Sequence, residues 1–492
     1  MDQEKSDKSF FTSFTGVLLL IVSYGIAHSA MRLFATWNLG ENDPVSLLKV
    51  QTFDLLVQSG AHPFDVLTFG LTEVLGENAL VFQILRYGLL AIALLFVFLV
   101  SRRVSRSGVW ALLTIGAYGL IYQISWRLHE GFTYPLITMV AIAGTFWAFG
   151  RAGLALVNGF WLALFIGLGL LSGLWFWVFL PALAIGALFT WPKHAALPRL
   201  IVLGGGLLAV ALIVNFAITN EWPVYESLFS GVGNAALKSL AYLSPLLPIL
   251  VLLFMPEFFT IVEGERKEIT IIRISTIVII GALLIAGAVM GVTNYSERAL
   301  MPVLFLTPIW LLDRLRRGFP SERRIRLFAF LCLSLMVVAF VSRAANFYVL
   351  DPVCNRCYFG IPFKGLSEEL AKRFDTKPHY RVVTPDPRIG GHLVAHWPAE
   401  EKPLVFAGAN KLDLSEDPRP TIAVWPVRNN TEIAAYDRGV NDWLKQLGVD
   451  DAEARRALRH KNVISVGWPH IWRENGYRSS RWVATRLYRK KP

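Results

Sequence analysis

Long apolar runs, each bounded by charged or turn-forming residues, dominate the first 346 positions. They fall near 12–34, 79–101, 107–124, 132–150, 153–172, 174–191 and 199–219, and then near 236–261, 271–293, 299–313 and 325–346. A helix rises about 1.5 Å per residue, so about 20 apolar residues match the hydrocarbon core of a bilayer. The pattern predicts a multi-pass α-helical membrane protein of about eleven spans, with the glycine-rich stretch 152–191 divided into two.

After residue 347 the periodicity changes. Short apolar stretches at 380–383, 404–407, 421–425 and 463–466 alternate with helix-like segments at 365–374 and 438–459, which is the pattern of a small α/β domain. The chain thus reads as a transmembrane domain, 1–346, and a soluble C-terminal α/β domain, 347–492. The first loop, 35–78, is too long for a turn. Its apolar positions (Val45, Leu48, Phe53, Leu55 and Leu56, then Val66, Leu67, Phe69 and Leu71) predict two amphipathic helices along the membrane interface, separated at 60–63.

Charge sets the expected orientation. Arg102, Arg103 and Arg106, then Arg151, Lys193 with Arg199, Arg266 with Lys267, and the cluster 314–326 all fall on one side of the spans, which the positive-inside rule makes the cytoplasm. The N-terminus lies on that side. The loop 35–78, the short loops near 125–131, 220–235 and 293–298, and everything after 347 face the other side, the periplasm in a bacterial inner membrane. The formal charge of +12 therefore sits in short clusters between apolar runs, which argues against a nucleic-acid partner and for contact with anionic membrane lipids. The first run follows a mixed-charge start without a small-residue cleavage site and reads as a retained span. Of three cysteines, Cys332 lies in an apolar run as a buried thiol. Cys354 and Cys357 follow the last span on the oxidising side, where a short-loop disulfide is favoured over a redox or zinc site.

Candidate chemistry gathers on the outer side. Glu41, Asn42 and Asp43 open the first loop, either as a general base at the membrane surface or as acidic caps for a helix starting at Pro44. His62 stands between the two interfacial helices, as a ligand or as a solvated turn histidine. Arg86 lies well inside the second run, where a guanidinium faces a cavity, an acidic partner or an anionic ligand, or snorkels outward. One turn carries Trp126, Arg127, His129 and Glu130, of which the first two also suit an interfacial anchor. Glu221, Trp222 and Tyr225 would stack on a sugar ring and bind its hydroxyls, although aromatic residues are common at any interface. Tyr295, Glu297 and Arg298 open a later span, with Arg298 placed either to clamp a phosphate or to pair with Glu297. Asp386, Gly390, Gly391 and His392 follow a predicted strand as a structural strand-to-helix turn, since the order G-x-G-x-x-G is missing.

Four stretches, ENDPVSLLKVQ, ISWRLHEGFTYPLI, YSERALMPVLFLTPIWLLDRL and YRVVTPDPRIGGHLVAHWP, together with the span pattern, resemble the GT-C-type membrane glycosyltransferases. That group includes protein O-mannosyltransferases, aminoarabinose transferases and rhizobial galacturonosyltransferases. The resemblance implies inverting transfer of a sugar from a polyprenyl-phosphate carrier to a lipid or polysaccharide acceptor. It gives Asp43, with Glu41 beside it, the role of base on the acceptor, and Arg86 or Arg298 the role of neutralising the leaving phosphate. Pro44 stands where the family has a glutamate, His62, Pro63 and Phe64 replace a Pro-Pro-Leu-Tyr element, and Thr133 with Tyr134 replace a threonine-histidine pair. A nucleotide-sugar site is not needed, and no cofactor is implied beyond a divalent metal ion, which these departures leave open. A glycolipid transporter or flippase, with binding at the bilayer midplane between broken helices, is the alternative from another class. A non-catalytic glycan-binding assembly protein is the third reading.

Overall fold

The computed structural model describes residues 10–151, 156–190, 196–219, 228–260, 264–290, 298–350, 360–374, 380–398, 402–408, 420–427, 433–469 and 478–487. Two compact units emerge: residues 1–28 with 86–340, and residues 29–85 with 341–492. The helices Phe14–Ala35, Ala79–Ser105 and Glu322–Ala345 contribute residues to both.

The first unit is built of helices and turns among its described residues, with a single isolated β-bridge between Ile121 and Pro245. Its apolar segments form the helices Gly108–Tyr118, Leu136–Phe149, Leu156–Leu171, Leu174–Thr190, Ala196–Thr219, Leu228–Tyr242, Leu246–Phe259, Lys267–Met290 and Thr307–Arg317. Five helices among the described residues are long and apolar enough to cross a bilayer, and five more apolar helices are shorter. Gly108–Tyr118, with 11 residues, rises only about 16 Å, roughly half of a hydrocarbon core. Apolar side chains such as Phe160, Leu171, Leu207, Leu252 and Leu333 point outward, the surface expected where the solvent is lipid. Small residues let helices meet closely: a Cβ at Gly231 would fall 2.0 Å from the carbonyl oxygen of Gly287.

Two expected spans are broken. The run 236–261 divides into Leu228–Tyr242 and Leu246–Phe259, with a further kink at Phe254. Pro245 and Pro256 each lack an amide hydrogen and push the preceding residue out of the α region. The run 299–313 is turn structure through Leu306, and its helix starts only at Thr307, with Pro308 in the first turn where a missing N–H costs nothing.

The second unit joins the first loop to the C-terminal region. The loop carries three helices, Asp43–Lys49, Phe53–Gln58 and Pro63–Leu75, where two were expected. The extra break falls at Thr52, whose hydroxyl accepts the amide of Leu55 at 3.3 Å and starts a new helix. The C-terminal part holds a five-stranded mixed sheet of order β2-β1-β3-β5-β4, with β1 Arg381–Thr384, β2 Leu404–Ala407, β3 Thr421–Val427, β4 Asn462–Gly467 and β5 Ser479–Leu487. The first three strands run parallel, β5 is antiparallel to β3, and β4 is antiparallel to β5. The helices Phe363–Phe374, Pro387–His396, Ile433–Gln446 and Asp451–Arg459 accompany it. Trp425, Val483, Trp443, Leu444 and Leu447 form the core between the sheet and the last two helices.

Helix Pro387–His396 packs on Asp43–Lys49. Gly391 makes the approach possible, because a Cβ there would lie 2.3 Å from the carbonyl oxygen of Pro44. Asp386 caps this helix by accepting the amide of Arg388 at 2.9 Å. The turn 386–392 is thus a strand-to-helix turn whose glycine serves close packing.

Candidate functional site

In the second unit, the acidic start of the first loop is a closed turn. Asp43 is buried, and its carboxylate accepts the amide of Gly40 at 2.9 Å, while Glu41 is half-buried. The buried guanidinium of Arg32 donates to the carbonyls of Asn38 and Leu39, at 3.3 and 3.0 Å, and holds the approach to that turn. Leu39 is pinned from the other side, its amide donating to Nε2 of His392 at 3.1 Å. His392 in turn faces the carbonyl of Arg388 through Nδ1 at 2.6 Å and stacks on Phe363 with ring centroids 3.9 Å apart. Burial lowers the pKa of this imidazole to about 3, so the ring is neutral, with Nδ1 donating and Nε2 accepting. Arg343, also buried, stands with Arg32 against the ring of Phe347, the two guanidiniums 5.6 and 5.9 Å from its centroid.

His62 is the N-cap of Pro63–Leu75, its Nδ1 accepting the amide of Phe64 at 3.2 Å. Three residues on, Asp65 is fully buried, with Lys49 Nζ 3.6 Å away. Burial raises its pKa, and the charges of Lys49 and His62 oppose the rise.

In the first unit, Arg86 is fully buried and grips one hydroxyl twice: Nε and Nη2 donate to Thr133 Oγ1 at 3.1 and 2.9 Å. His129, also fully buried, lies between two phenols, with Tyr24 at 2.6 Å from Nε2 and Tyr87 at 2.8 Å from Nδ1. A neutral imidazole has one donor and one acceptor nitrogen, so one tyrosine donates to the ring and the other accepts from it. His28 stacks on His129 with centroids 4.2 Å apart and planes 9° from parallel. Trp126, Arg127 and Glu130 close on one another: Glu130 accepts from the indole and the guanidinium, both at 2.8 Å, and Arg127 lies over Tyr122. Arg298 lies over the ring of Phe132, 5.7 Å from its centroid.

An apolar cavity of about 430 Å³ opens beside this cluster, lined by Tyr24, Leu90, Leu94, Gly116, Cys332 and Met336 among others. Leu90 and Leu94 follow Arg86 at four and eight residues, on the same helix face. One helix face therefore carries a buried cation and, one and two turns on, the wall of an apolar cavity. Cys332 is a buried free thiol, as expected.

Several candidates lie outside the described residues: Glu221, Trp222 and Tyr225, Tyr295 and Glu297, and Cys354 and Cys357. Arg32, Arg343 and Asp65 of the second unit, and Tyr24, His28 and Tyr87 of the first, were not singled out by sequence. A usable signal existed in the first apolar run, where Tyr24, His28 and Arg32 recur every four residues as a polar stripe. Among the described residues, no three or more His, Cys, Asp or Glu side chains stand together to hold a metal ion.

No family model and no curated protein matches the chain. Among solved structures, the archaeal oligosaccharyltransferase AglB from Archaeoglobus fulgidus, in complex with an inhibitory peptide and a dolichol-phosphate, aligns loosely, with a TM-score of 0.41, 13% identity, and coverage of 91% of this chain and 73% of AglB. Two crystal structures of ArnT from Cupriavidus metallidurans align over 96% of this chain and 98% of theirs at 12% identity. The apo structure gives a TM-score of 0.57 and the one bound to undecaprenyl phosphate 0.56. The chain has the fold of ArnT along nearly its whole length, apolar helices and C-terminal α/β region alike.

Proposed function

We propose that the protein is a glycosyltransferase of the bacterial inner membrane that moves a sugar, with inversion, from a polyprenyl-phosphate carrier to a lipid or polysaccharide acceptor at the periplasmic face. One observation carries the reading: a fully buried guanidinium, Arg86, on the same helix face as the wall of an apolar cavity. A guanidinium fork suits the oxygens of a phosphate, and an apolar cavity one turn along the same helix face suits a hydrocarbon tail. A phosphate on a long apolar tail has both. The shared fold supports the same class, since ArnT has been crystallised with undecaprenyl phosphate.

In this reading Asp43 removes the proton from the acceptor hydroxyl, with Glu41 beside it, and the freed oxygen attacks the anomeric carbon. The bond from that carbon to the carrier phosphate breaks, and the polyprenyl phosphate leaves against Arg86 or Arg298. His62, Arg127, His129, Glu130, Glu221, Trp222, Tyr225, Tyr295 and Glu297 are assigned to the substrate side. Cys354 and Cys357 are assigned as a disulfide beside the periplasmic domain, with the N-terminus in the cytoplasm. A divalent ion remains an open partner of the carrier phosphate. The burial of Asp43, with its carboxylate closing its own turn, favours a second reading in which the protein binds lipid-linked glycans without catalysis.

Asp43→Asn separates the two. The carboxamide oxygen keeps the bond to Gly40 but has no basicity, so the variant should fold normally and lose transfer from a polyprenyl-phosphate sugar. Full transfer by that variant would refute the base. Binding of the carrier by the wild type, with neither transfer nor hydrolysis, would establish the second reading.

A further inference from the structure

One end of the first unit carries a dense set of arginines, and their partners sort them into two kinds. Some are neutralised by carboxylates: Arg103 by Glu268 at 3.0 Å, Arg317 by Asp313 at 2.9 Å and Glu265 at 3.2 Å, and Arg324 by Glu257 at 2.6 Å. Others are held by neutral groups. Arg266 donates to the carbonyl of Arg103 at 2.7 Å, and Arg314 donates to the carbonyl of Phe258 at 2.8 Å. Arg316 shares Asp313 with Arg317, so one carboxylate serves two guanidiniums. Arg106 is exposed and holds no carboxylate among the described residues.

These contacts also fix where Arg106, Arg266 and Arg316 lie. The bond from Arg266 to Arg103 brings it to the end of helix Ala79–Ser105, which Arg106 follows. The pair between Arg317 and Glu265, the residue before Arg266, brings the helix carrying Arg316 to the same place. Burial and then the facing charges of Arg106 and Arg316 disfavour the charged form of Arg266, which Glu268 and Asp313 only partly offset. Beside them, the turn after Arg317 presents Phe319, 90% exposed and at φ +52°, a conformation costly for a residue with a Cβ. A bare phenyl ring at the tip of a polar turn suits a lipid interface and has no use in water.

We propose that Arg106, Arg266 and Arg316 form a binding site for the phosphodiester head of an anionic phospholipid, with Phe319 set among the acyl chains beside it. The head group would add to the negative charge that Glu268 and Asp313 supply among the described residues, and the three arginine forks could hold its two free oxygens. The site is separate from Arg86 and does not depend on the glycosyltransferase reading.

The test uses the full chain in mixed micelles of phosphatidylcholine with graded phosphatidylglycerol, reading bound phosphatidylglycerol by native mass spectrometry and the thermal midpoint. Each arginine near a lipid surface is worth about fivefold in affinity. Arg106→Gln should therefore weaken phosphatidylglycerol binding about fivefold, and the triple Gln variant by about a hundredfold. Arg326→Gln, at an exposed arginine already paired with Glu322 at 2.6 Å, should leave it unchanged. Phe319→Ala should weaken the lipid but not inorganic phosphate. If Arg106→Gln binds like wild type, or weakens it no more than Arg326→Gln, the site is refuted. If inorganic phosphate at equal concentration protects as well as the lipid, the site takes free anions and the lipid assignment is overturned. Arg106 is exposed, so its variant tests the site even where Arg266→Gln fails to fold.

Discussion

Gly391→Ala should detach the acidic turn from its support. The helix Pro387–His396 lies so close to Asp43–Lys49 that the new Cβ would meet Pro44 at its carbonyl oxygen (2.3 Å), its Cα (2.4 Å) and its Cβ (2.5 Å). Ordinary contact begins near 3.4 Å, so the two helices must part by about 1 Å, and the obstruction is backbone that cannot rotate away. Overpacking of this kind costs about 1–3 kcal/mol, while alanine in place of a helical glycine returns up to about 1 kcal/mol. With the full return, the net effect is a loss of up to about 2 kcal/mol in the second unit. Pro44 follows Asp43, so the same displacement moves the carboxylate, and a misplacement of about 1 Å can cost on the order of a hundredfold in rate. Gly70→Ala is the matched control. It lies in helix Pro63–Leu75 with nothing within 4 Å of the added Cβ, and it should raise the thermal midpoint through helix propensity alone. Thermal unfolding in detergent and transfer assays on both variants decide the matter. A Gly391→Ala protein as stable and as active as wild type would refute the close packing and its link to Asp43.

Acid should weaken the second unit. His392 binds a proton near pH 3 when folded and about 6.5 when unfolded, so between those values the unfolded chain holds more protons and stability falls as the pH drops. Above about 6.5 the contribution is complete; at pH 5 roughly 2 kcal/mol of it is gone. His396, lowered to about 4 by burial, adds to the same slope. Comparing thermal midpoints at pH 7.5 and 5, His392→Gln should show a smaller fall than wild type, and an equal fall would rule out this source. At Arg86, loss of the charge by Arg86→Gln should lower kcat/KM with a polyprenyl-phosphate sugar by about 10- to 150-fold, the value of a charged hydrogen bond. Thr133→Val, which removes the hydroxyl that orients the guanidinium, should cost about fivefold. Unchanged kinetics in both would remove Arg86 from carrier binding.

The parts of the fold legible in the sequence were those set by one-dimensional pattern. Apolar runs became helices because hydrocarbon tolerates little else, and β1 to β4 fell where short β-branched stretches stood between turns. β5 was missed because SSRWVATRL carries two arginines and no simple alternation, and it is as the strand between β3 and β4 that Trp482 to Thr485 are buried in succession. The break at 243–245 was missed for a related reason. Hydropathy averages over a proline, although the backbone cannot, and the chain there bridges to Ile121 at the start of helix Tyr122–Ser125, the amide of Tyr122 donating to the carbonyl of Ser244 at 3.2 Å.

The candidate site divides along the same line. Asp43, Arg86 and His129 stood out because an ionisable residue next to or inside an apolar run is conspicuous, and each proved buried with specific partners. What one residue's identity cannot reveal is who holds it. The sequence separation from Leu39 to His392, or from Tyr24 to His129, is spanned by tertiary packing, and no local rule links those positions. Yet these partners decide the chemistry. A histidine between two phenols is held in orientation while its proton can sit on either ring nitrogen, and one between a backbone donor and a backbone acceptor is a neutral strut. His129 and His392 differ in their neighbours rather than in themselves. His392 therefore belongs to the scaffold that carries Asp43, while His129, with polar hydrogens free to shift among Tyr24, Tyr87 and its own ring, is the one whose surroundings suit proton movement.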